Sequence, residues 1–226
     1  MNQKAKDILK EVANISDIPE AGAYNIRVNG KSVGHASVDG VDIVLKEDGS
    51  GMDIHVGPYT KNDFVLIPVV IDKGGHEEVV YNDFYIGEGA DVTIVAGCGI
   101  HNVEHARSKH DGIHSFYIEK GAKVKYIEKH YGSGDDASER VLNPVTNVYM
   151  KQDSYMEMDT VQIGGVDETK RVTNAELSDG ATLVVGEKLM TDKNQYAETA
   201  FNIVLNGEKS AAHVRGFFEF NVFDKI

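Results

Sequence analysis

The chain has 226 residues, of which 41% are hydrophobic and 26% are charged, a composition typical of a folded protein with one buried core. Its formal net charge of -13 disfavours nucleic acid and anionic membrane surfaces, because both are negatively charged. No apolar run approaches the roughly 20 residues of a membrane-spanning helix, no signal-peptide pattern opens the chain, and the single Cys98 cannot form an internal disulfide. We therefore expect a cytoplasmic protein that binds neither nucleic acid nor membranes.

Apolar residues at helical spacing predict one short amphipathic helix from about Gln3 to Asn14, and Pro19 ends this segment. After Gly22 the pattern changes to short alternating runs between Gly, Asn and Asp, which predicts β-strands. Clear runs of this kind are residues 24–28, 41–45, 52–56 and 79–86. We therefore divide the chain into an N-terminal helical segment, residues 1–20, and an all-β domain, residues 21–226.

The predicted strands repeat along the chain. Gly89–Val95 matches Gly121–Ile127 and Gly180–Gly186, and weaker copies occupy Asp153–Asp159 and Lys209–Val214. The copies that begin at residues 89, 121, 153 and 180 are spaced by 32, 32 and 27 residues. A period of this length with a small residue at the corner predicts the stacked turns of a β-solenoid. A β-sandwich is the alternative, but it does not require near-identical corners.

The stretch richest in reactive side chains begins with Gly-Cys-Gly-Ile-His-Asn at residues 97–102, and four of the nine histidines follow Cys98 within 16 residues. A thiolate with imidazoles and carboxylates is a donor set for iron or zinc, although the spacing is not that of a typical zinc site. The histidine spacing would suit one helix face, but Arg107–Lys109 and Gly112 favour a polar loop, in which single histidines have no specific role. The candidate metal ligands are Cys98, His101, Glu104, His105, His110, His114 and Glu128.

Two of these candidates have ordinary interpretations as well. A free cysteine is often a small core residue, so Cys98 could simply fill the solenoid interior. The flanking Gly97 and Gly99 favour a functional thiol, because they leave the backbone open and the sulfur less shielded. Glu128 and His130 alternate on one predicted strand and share a face. A surface position is the commoner one for a carboxylate such as Glu128, whereas an inward Glu128 would need a buried partner.

Three stretches resemble the SufB/SufD family of iron–sulfur cluster assembly proteins, in particular its short SufB-like members: Tyr81–Ile86, Gly97–Asn102 and His110–Gly132. The resemblance extends from about Ile8 to His213 and implies an all-β, right-handed parallel β-helix after the short N-terminal helix. It also implies a scaffold that receives sulfur and iron, builds a transient iron–sulfur cluster and passes it to apo-proteins. Cys98 matches the sulfur-receiving position. The implied partners are a sulfur donor, a SufC-type ABC ATPase, and a dimer partner that is itself or a SufB/SufD-like paralogue.

This expectation describes a scaffold and not an enzyme. Members of the family continue beyond the position of His213 with helices that dock the ATPase, and residues 216–226 do not resemble that continuation. The four phenylalanines of residues 216–226 predict either a dimer contact or a shortened chain. The second hypothesis is therefore a metal-free β-helix interaction module, a truncated chain that has lost the metal chemistry. The third is a polysaccharide-active solenoid enzyme, which would need paired carboxylates and a row of exposed aromatic rings, and the chain contains no Trp.

Overall fold

In a computed structural model the chain forms a parallel β-helix of about six turns after one short α-helix, which confirms the predicted fold class. The structure describes residues 1–221, except for the side chains of residues 62, 63, 163, 220 and 221. Helix α1 (Gln3–Ala13) is capped by the side chain of Asn2 and ends at Asn14, which has the left-handed φ of 56°. No helix among the described residues has the length and hydropathy needed to cross a bilayer.

Two long sheets face each other and form the walls of the solenoid. The first sheet contains β1 (Ala23–Val28), β2 (Lys31–Ala36), β5 (Lys61–Leu66), β6 (Val69–Ile71), β8 (Asp91–Asn102), β10 (Lys123–Gly134), β13 (Tyr155–Ile163), β15 (Thr182–Asp192) and β17 (Ala211–Asn221). The second contains β3 (Val41–Leu45), β4 (Gly51–Val56), β7 (Glu77–Ile86), β9 (Arg107–Ile118), β11 (Glu139–Leu142), β12 (Val145–Met150), β14 (Glu168–Leu177) and β16 (Tyr196–Leu205). Strands β1 with β2 and β3 with β4 form antiparallel hairpins at one end, and the strands that follow pair in parallel.

The predicted repeat corresponds to one turn of this solenoid. Strands β8, β10, β13, β15 and β17 stack in register, and the residue two positions before each strand begins has a positive φ between 56° and 66°. Glycine occupies this corner in three of the turns and adopts the left-handed conformation without strain. Asp153 and Lys209 adopt it in the other two, so the weaker copies of the repeat are also genuine corners.

The interior between the sheets has an apolar part and a polar part. Phe84 and Phe116 are fully buried and stack in successive turns with ring centroids 4.2 Å apart. Burial of each such side chain contributes about 1.5–3 kcal/mol. Further along β10, at Glu128 and His130, the interior becomes polar although these residues remain at most 4% exposed. The candidate site lies in this polar part.

Strands β11 and β12 share one position in the second sheet, because both pair with β9 on one side and with β14 on the other. The chain between them is Asn143-Pro144. Pro144 has no N–H group, so the ladder lacks a hydrogen bond where the two short strands meet.

The phenylalanine-rich segment predicted to make a contact begins on β17. Phe217 and Phe218 are 67% and 46% exposed on this strand, which pairs with β15. Phe223 lies outside the described residues. The exposed pair agrees with the expectation of an apolar surface here, and the dimer contact itself stays a prediction.

Candidate functional site

Cys98 lies on β8 with its side chain inside the solenoid, and only 4% of the residue is exposed. The neighbouring strand β10 places His130 directly beside it in register. Residues aligned on adjacent parallel strands point to the same face at a spacing of about 4.8 Å. The His130 imidazole lies close enough to Cys98 to lower the pKa of its thiol.

A second imidazole reaches Cys98 from the opposite wall. His110 lies on β9, where alternate side chains point inwards, and it lines one small cavity together with Cys98 and His130. Its Nδ1 lies 3.0 Å from Oε1 of Glu78, the residue aligned with it on β7. Arg27 donates from Nε to Oε2 of Glu78 at 2.9 Å. A chain of alternating acidic and basic groups therefore runs from the sulfur to Arg27.

These contacts favour a thiolate–imidazolium pair. Burial alone would raise the pKa of the Cys98 thiol, but His110 and His130 lower it from 9.0 to about 7. Burial would lower the pKa of His110, but Cys98 and Glu78 raise it to about 10. The pKa of Glu78 is about 2, because His110 and Arg27 outweigh the effect of burial. At neutral pH a large fraction of Cys98 is therefore thiolate, the form that is nucleophilic and binds metals.

We expect Glu78→Gln to raise the pKa of Cys98 toward its ordinary value of 9.0. The amide removes the charge that stabilises the His110 imidazolium, and a neutral imidazole no longer favours the thiolate. A pH titration of the ultraviolet thiolate absorbance measures the change. Glu77→Gln is the matched control, because Glu77 is the preceding residue and is exposed. An unchanged Cys98 titration in Glu78→Gln would contradict this role for Glu78.

His130 also belongs to a buried group of charged side chains that we call the Arg171 cluster. Its members are Glu128, His130, Arg171 and Glu187. Arg171 on β14 forms an ion pair with Glu128 through Nη1, and its Nη2 lies 3.2 Å from His130 Nδ1. The Nε of Arg171 lies 3.0 Å from Oε1 of Glu187. Burial opposes charge on Glu128, but Arg171 and then His130 hold its pKa well below the usual value.

His114 joins the same interior through a different set of contacts. Its Nδ1 lies 2.7 Å from the hydroxyl of Tyr126, which donates to Oε1 of Glu128 at 3.0 Å. Its Nε2 lies 3.2 Å from Nδ2 of Asn82. Burial lowers the pKa of His114 to about 4, so this imidazole is neutral and completes a hydrogen-bonded chain that ends at Glu128.

The structure thus brings four of the seven predicted ligands, Cys98, His110, His114 and Glu128, into the polar interior. The prediction that Glu128 lies on the surface is wrong, because its carboxylate is 1% exposed and paired with Arg171. The proposed loop is also wrong for residues 107–118, which form β9 with hydrogen-bonded neighbours on both sides.

The other three predicted ligands lie elsewhere. His101 follows Cys98 by an odd number of residues and so points to the opposite face, where its Nδ1 lies 2.9 Å from Oγ of Ser133. Glu104 and His105 occupy the turn between β8 and β9. The His105 side chain is 74% exposed and faces Asp135 at 3.6 Å.

The flanking glycines have a different role from the one that the sequence suggested. Gly97 and Gly99 lie beneath helix α1, whose buried face includes Ile8 and Val12. A Cβ atom on Gly97 would overlap the carbonyl oxygen of Val12, and one on Gly99 would overlap the side chain of Ile8. The two glycines therefore allow the helix to approach the sheet, and they do not expose the thiol.

Sequence reasoning missed His130 and Glu78 as members of the site around Cys98, and it missed Arg171 altogether. The repeat contains the signal for His130, which follows its corner Gly121 by the same number of residues as Cys98 follows Gly89. Glu78 and His110 are likewise one 32-residue repeat apart and aligned in register. Arg171 comes from another strand of the opposite sheet, and no local spacing connects it to Glu128.

An exposed aromatic row, which the polysaccharide hypothesis would require, does occur on the second sheet. His55, Tyr85, Tyr117 and Tyr149 stack along the solenoid with ring centroids 4.8, 5.2 and 5.3 Å apart. Within this row, each inner ring has both faces covered by its neighbours. A sugar, in contrast, stacks on an open ring face. The row therefore stabilises the stacked turns and does not form an open sugar platform.

No protein-family model matches the chain, and no curated protein is significantly similar to it. Within the part of the chain that the structure describes, no three His, Cys, Asp or Glu side chains are placed so that they could share a metal ion. The candidate functional site therefore consists of the buried Cys98, the two histidines His110 and His130, and the charged groups around them.

Proposed function

We propose that this chain is a scaffold component of SUF-type iron–sulfur cluster assembly in which Cys98 receives sulfur. The observation that carries this proposal is the position of the buried Cys98 beside His110 and His130, because the three residues line one small cavity. A thiolate is the species that attacks a sulfur–sulfur bond, and both imidazoles stabilise it. The resemblance of residues 81–132 to the SufB/SufD family connects this reactive sulfur to cluster assembly.

Iron is the second substrate in this proposal. Cys98, His110, His130 and Glu128 provide a thiolate, two imidazoles and a carboxylate, which are donors that iron accepts. The Glu128 oxygens are engaged by Arg171 and Tyr126, so this carboxylate must release Arg171 before it binds iron. We therefore assign sulfur reception to the described arrangement and iron binding to a rearranged one. The exposed Glu104 and His105 are not part of this ligand set.

The remaining components of the proposal lie outside this chain. A sulfur donor supplies Cys98, and a separate SufC-type ABC ATPase supplies the energy. The chain works as a dimer with itself or with a SufB/SufD-like paralogue, and the finished cluster passes to apo-proteins in the cytoplasm. In this scheme the chain carries cargo and is not itself an enzyme.

Anaerobic reconstitution with iron and sulfide tests the proposal, read by visible absorption and by iron and sulfide analysis. We expect the native chain to acquire a cluster and Cys98→Ser to lose most of it, because serine does not replace a thiolate ligand. His101→Ala is the control and should behave like the native chain, since His101 points away from Cys98. An equal cluster content in the native chain and in Cys98→Ser would count decisively against Cys98.

One observation supports the second hypothesis, a metal-free interaction module. Glu78, His110, Glu128 and Arg171 already pair with one another or with further protein groups, as the charges of a purely structural polar core must. This hypothesis predicts a stable dimer that acquires neither sulfur nor iron under any of these conditions.

A further inference from the structure

A polar cleft lies on the side of the solenoid where the strands of the first sheet end. Strand β13 ends at Ile163, whereas its neighbours β10 and β15 continue to Gly134 and Asp192. The early end of β13 leaves a notch in the sheet, with a volume of about 570 Å³. Sites for small molecules usually enclose about 300–1,000 Å³, so the cleft is large enough for one. The described residues that line it differ from those that line the cavity beside Cys98.

The floor of the cleft is the short turn between β13 and β14. Gly165 in this turn packs against Gly132 of β10, because a Cβ atom on either glycine would overlap the backbone of the other. Asp167 follows in the same turn and accepts two hydrogen bonds from the Arg140 side chain, from Nε at 2.8 Å and from Nη2 at 3.1 Å. Backbone and an ion pair therefore close the cleft on its inner side.

Arg140 offers one further donor to the cleft. Its side chain is only 7% exposed, and the bonds to Asp167 use Nε and Nη2. A Cβ atom on Gly134, at the end of β10, would lie 2.9 Å from the remaining nitrogen, Nη1. Nη1 therefore lies beside the wall that β10 forms, where it can donate to an anionic group in the cleft.

The opposite wall carries an acceptor. Asp192 at the end of β15 lines the cleft, and its Oδ1 is buried without a hydrogen-bond partner. A buried carboxylate oxygen without a partner is unfavourable, and a positively charged donor in the cleft would satisfy it. The other charges that line the cleft form two ion pairs, Arg140 with Asp167 and Lys193 with Asp136. Asp192 therefore leaves one negative charge for the ligand to compensate.

The width of the notch selects the length of the ligand. Strands β10 and β15 lie on either side of β13, so the two walls are about 10 Å apart, which is two strand spacings. An extended tripeptide spans about 10 Å, so its two charged ends can reach both walls. A free α-amino acid carries both charges on one carbon and reaches only one wall.

The mouth of the cleft is crossed by the ion pair of Lys193 with Asp136. Lys193 Nζ lies 3.2 Å from Oδ1 of Asp136, and both side chains are exposed. An exposed ion pair of this kind opens at little cost. A carboxylate in the cleft can therefore replace Asp136 as the partner of Lys193.

We propose that this cleft binds a short peptide of about three residues with both ends free. The peptide ammonium bonds to Asp192, and the peptide carboxylate bonds to Nη1 of Arg140 and to Lys193. The cleft is separate from the polar interior around Cys98, so this inference goes beyond the proposed function and does not depend on it. Loss of sulfur or iron binding at Cys98 would leave it unchanged.

Isothermal titration calorimetry at two temperatures tests the proposal on the native chain. The probes are trialanine, N-acetyl-trialanine, trialanine amide and alanine. We expect one trialanine to bind per chain and each of the other probes to bind about tenfold more weakly or worse, because each lacks one charged end or the required length. Equal affinity for trialanine and its two capped forms would overturn the proposal, and so would the absence of trialanine binding at both temperatures.

Asp192→Asn tests the position of the site. We expect it to weaken trialanine about tenfold and to leave the weaker binding of N-acetyl-trialanine unchanged, because that probe has no ammonium. Asp91→Asn is the matched control, since Asp91 is exposed at the beginning of β8, at the opposite end of the strands. Thermal unfolding establishes that both variants are folded. Native affinity of Asp192→Asn for trialanine would overturn the assignment, and the capped peptides on the native chain decide it if Asp192→Asn does not fold.

Discussion

Arg171→Met should lower the free energy of unfolding by about 3–5 kcal/mol, the cost of leaving buried charges without a partner. Arg171 pairs with Glu128 and Glu187, and all three side chains are at most 3% exposed. Methionine replaces the bulk of the arginine stem but not its charge. Urea-induced unfolding measures the loss. Lys170→Met is the matched control, because its side chain is 53% exposed and a surface ion pair contributes at most about 1 kcal/mol.

The pH dependence of this loss identifies its electrostatic origin. In the native chain the pKa of Glu128 lies below its ordinary value of 4.5, so its stabilising contribution is present above that pH and is lost on acidification. In Arg171→Met the unpaired Glu128 has a raised pKa in the folded state, so falling pH stabilises the variant. Burial already raises the pKa of Glu187 in the native chain, so protonation of Glu187 at low pH favours the folded state in both proteins. The difference in stability should therefore narrow as the pH falls toward 4.5.

A triple variant separates charge from packing. Adding Glu128→Gln and Glu187→Gln to Arg171→Met removes the buried charges together, and replacement of a whole buried ion cluster is often nearly neutral. We expect most of the lost stability to return. A triple variant as unstable as Arg171→Met would show that arginine packing, and not charge compensation, is what the cluster contributes.

Gly97→Val should lower the free energy of unfolding by about 3 kcal/mol, because it forces helix α1 away from the sheet. The first atom of the new side chain would overlap the backbone carbonyl of Val12. A side chain could avoid such an overlap by changing its rotamer, but a backbone atom cannot. Overpacking of this kind costs about 1–3 kcal/mol, and each large apolar residue that the helix exposes adds to the loss. Urea unfolding and the helical circular dichroism signal measure the effect.

Gly186→Val is the control for this substitution. Gly186 also lies within a strand of the first sheet, and a Cβ there is 3.3 Å from a carboxylate oxygen of Asp159 that can move aside. Valine is favoured in strands, so we expect a change of less than about 1 kcal/mol. A similar loss in both variants would mean that the cost comes from the strand and not from the helix above Gly97.

Most of the fold can be predicted from the sequence because a solenoid repeats its local rules. The corners at Gly89, Gly121 and Gly180 recur at nearly constant spacing, and even the weak copy at Lys209 marks a turn. Helix α1 was indicated by its apolar face. What the sequence concealed was the position of this face on the sheet, because the matching signal is only the small size of Gly97 and Gly99.

The site could be predicted only in part, for a physical reason. Residue type indicated Cys98, His110 and Glu128, but a polar interior has the same composition as a surface loop, so β9 was misassigned. Burial of these groups depends on partners such as Arg171, which approach from the opposite sheet. Such partners meet only because successive turns of the solenoid stack in three dimensions. No sequence spacing within a single turn therefore predicts them.

The break at Asn143-Pro144 has a consequence for the kinetics of the buried thiol. Elsewhere around Cys98 the strands are held on both sides by parallel ladders, so a reactant reaches the sulfur only through local opening of the wall. Opening is easiest where a hydrogen bond is already missing, and Pro144 lines the same small cavity as Cys98. We therefore expect local opening at the junction of β11 and β12 to set the rate at which the thiol meets a reagent, as local unfolding sets the rate of amide exchange.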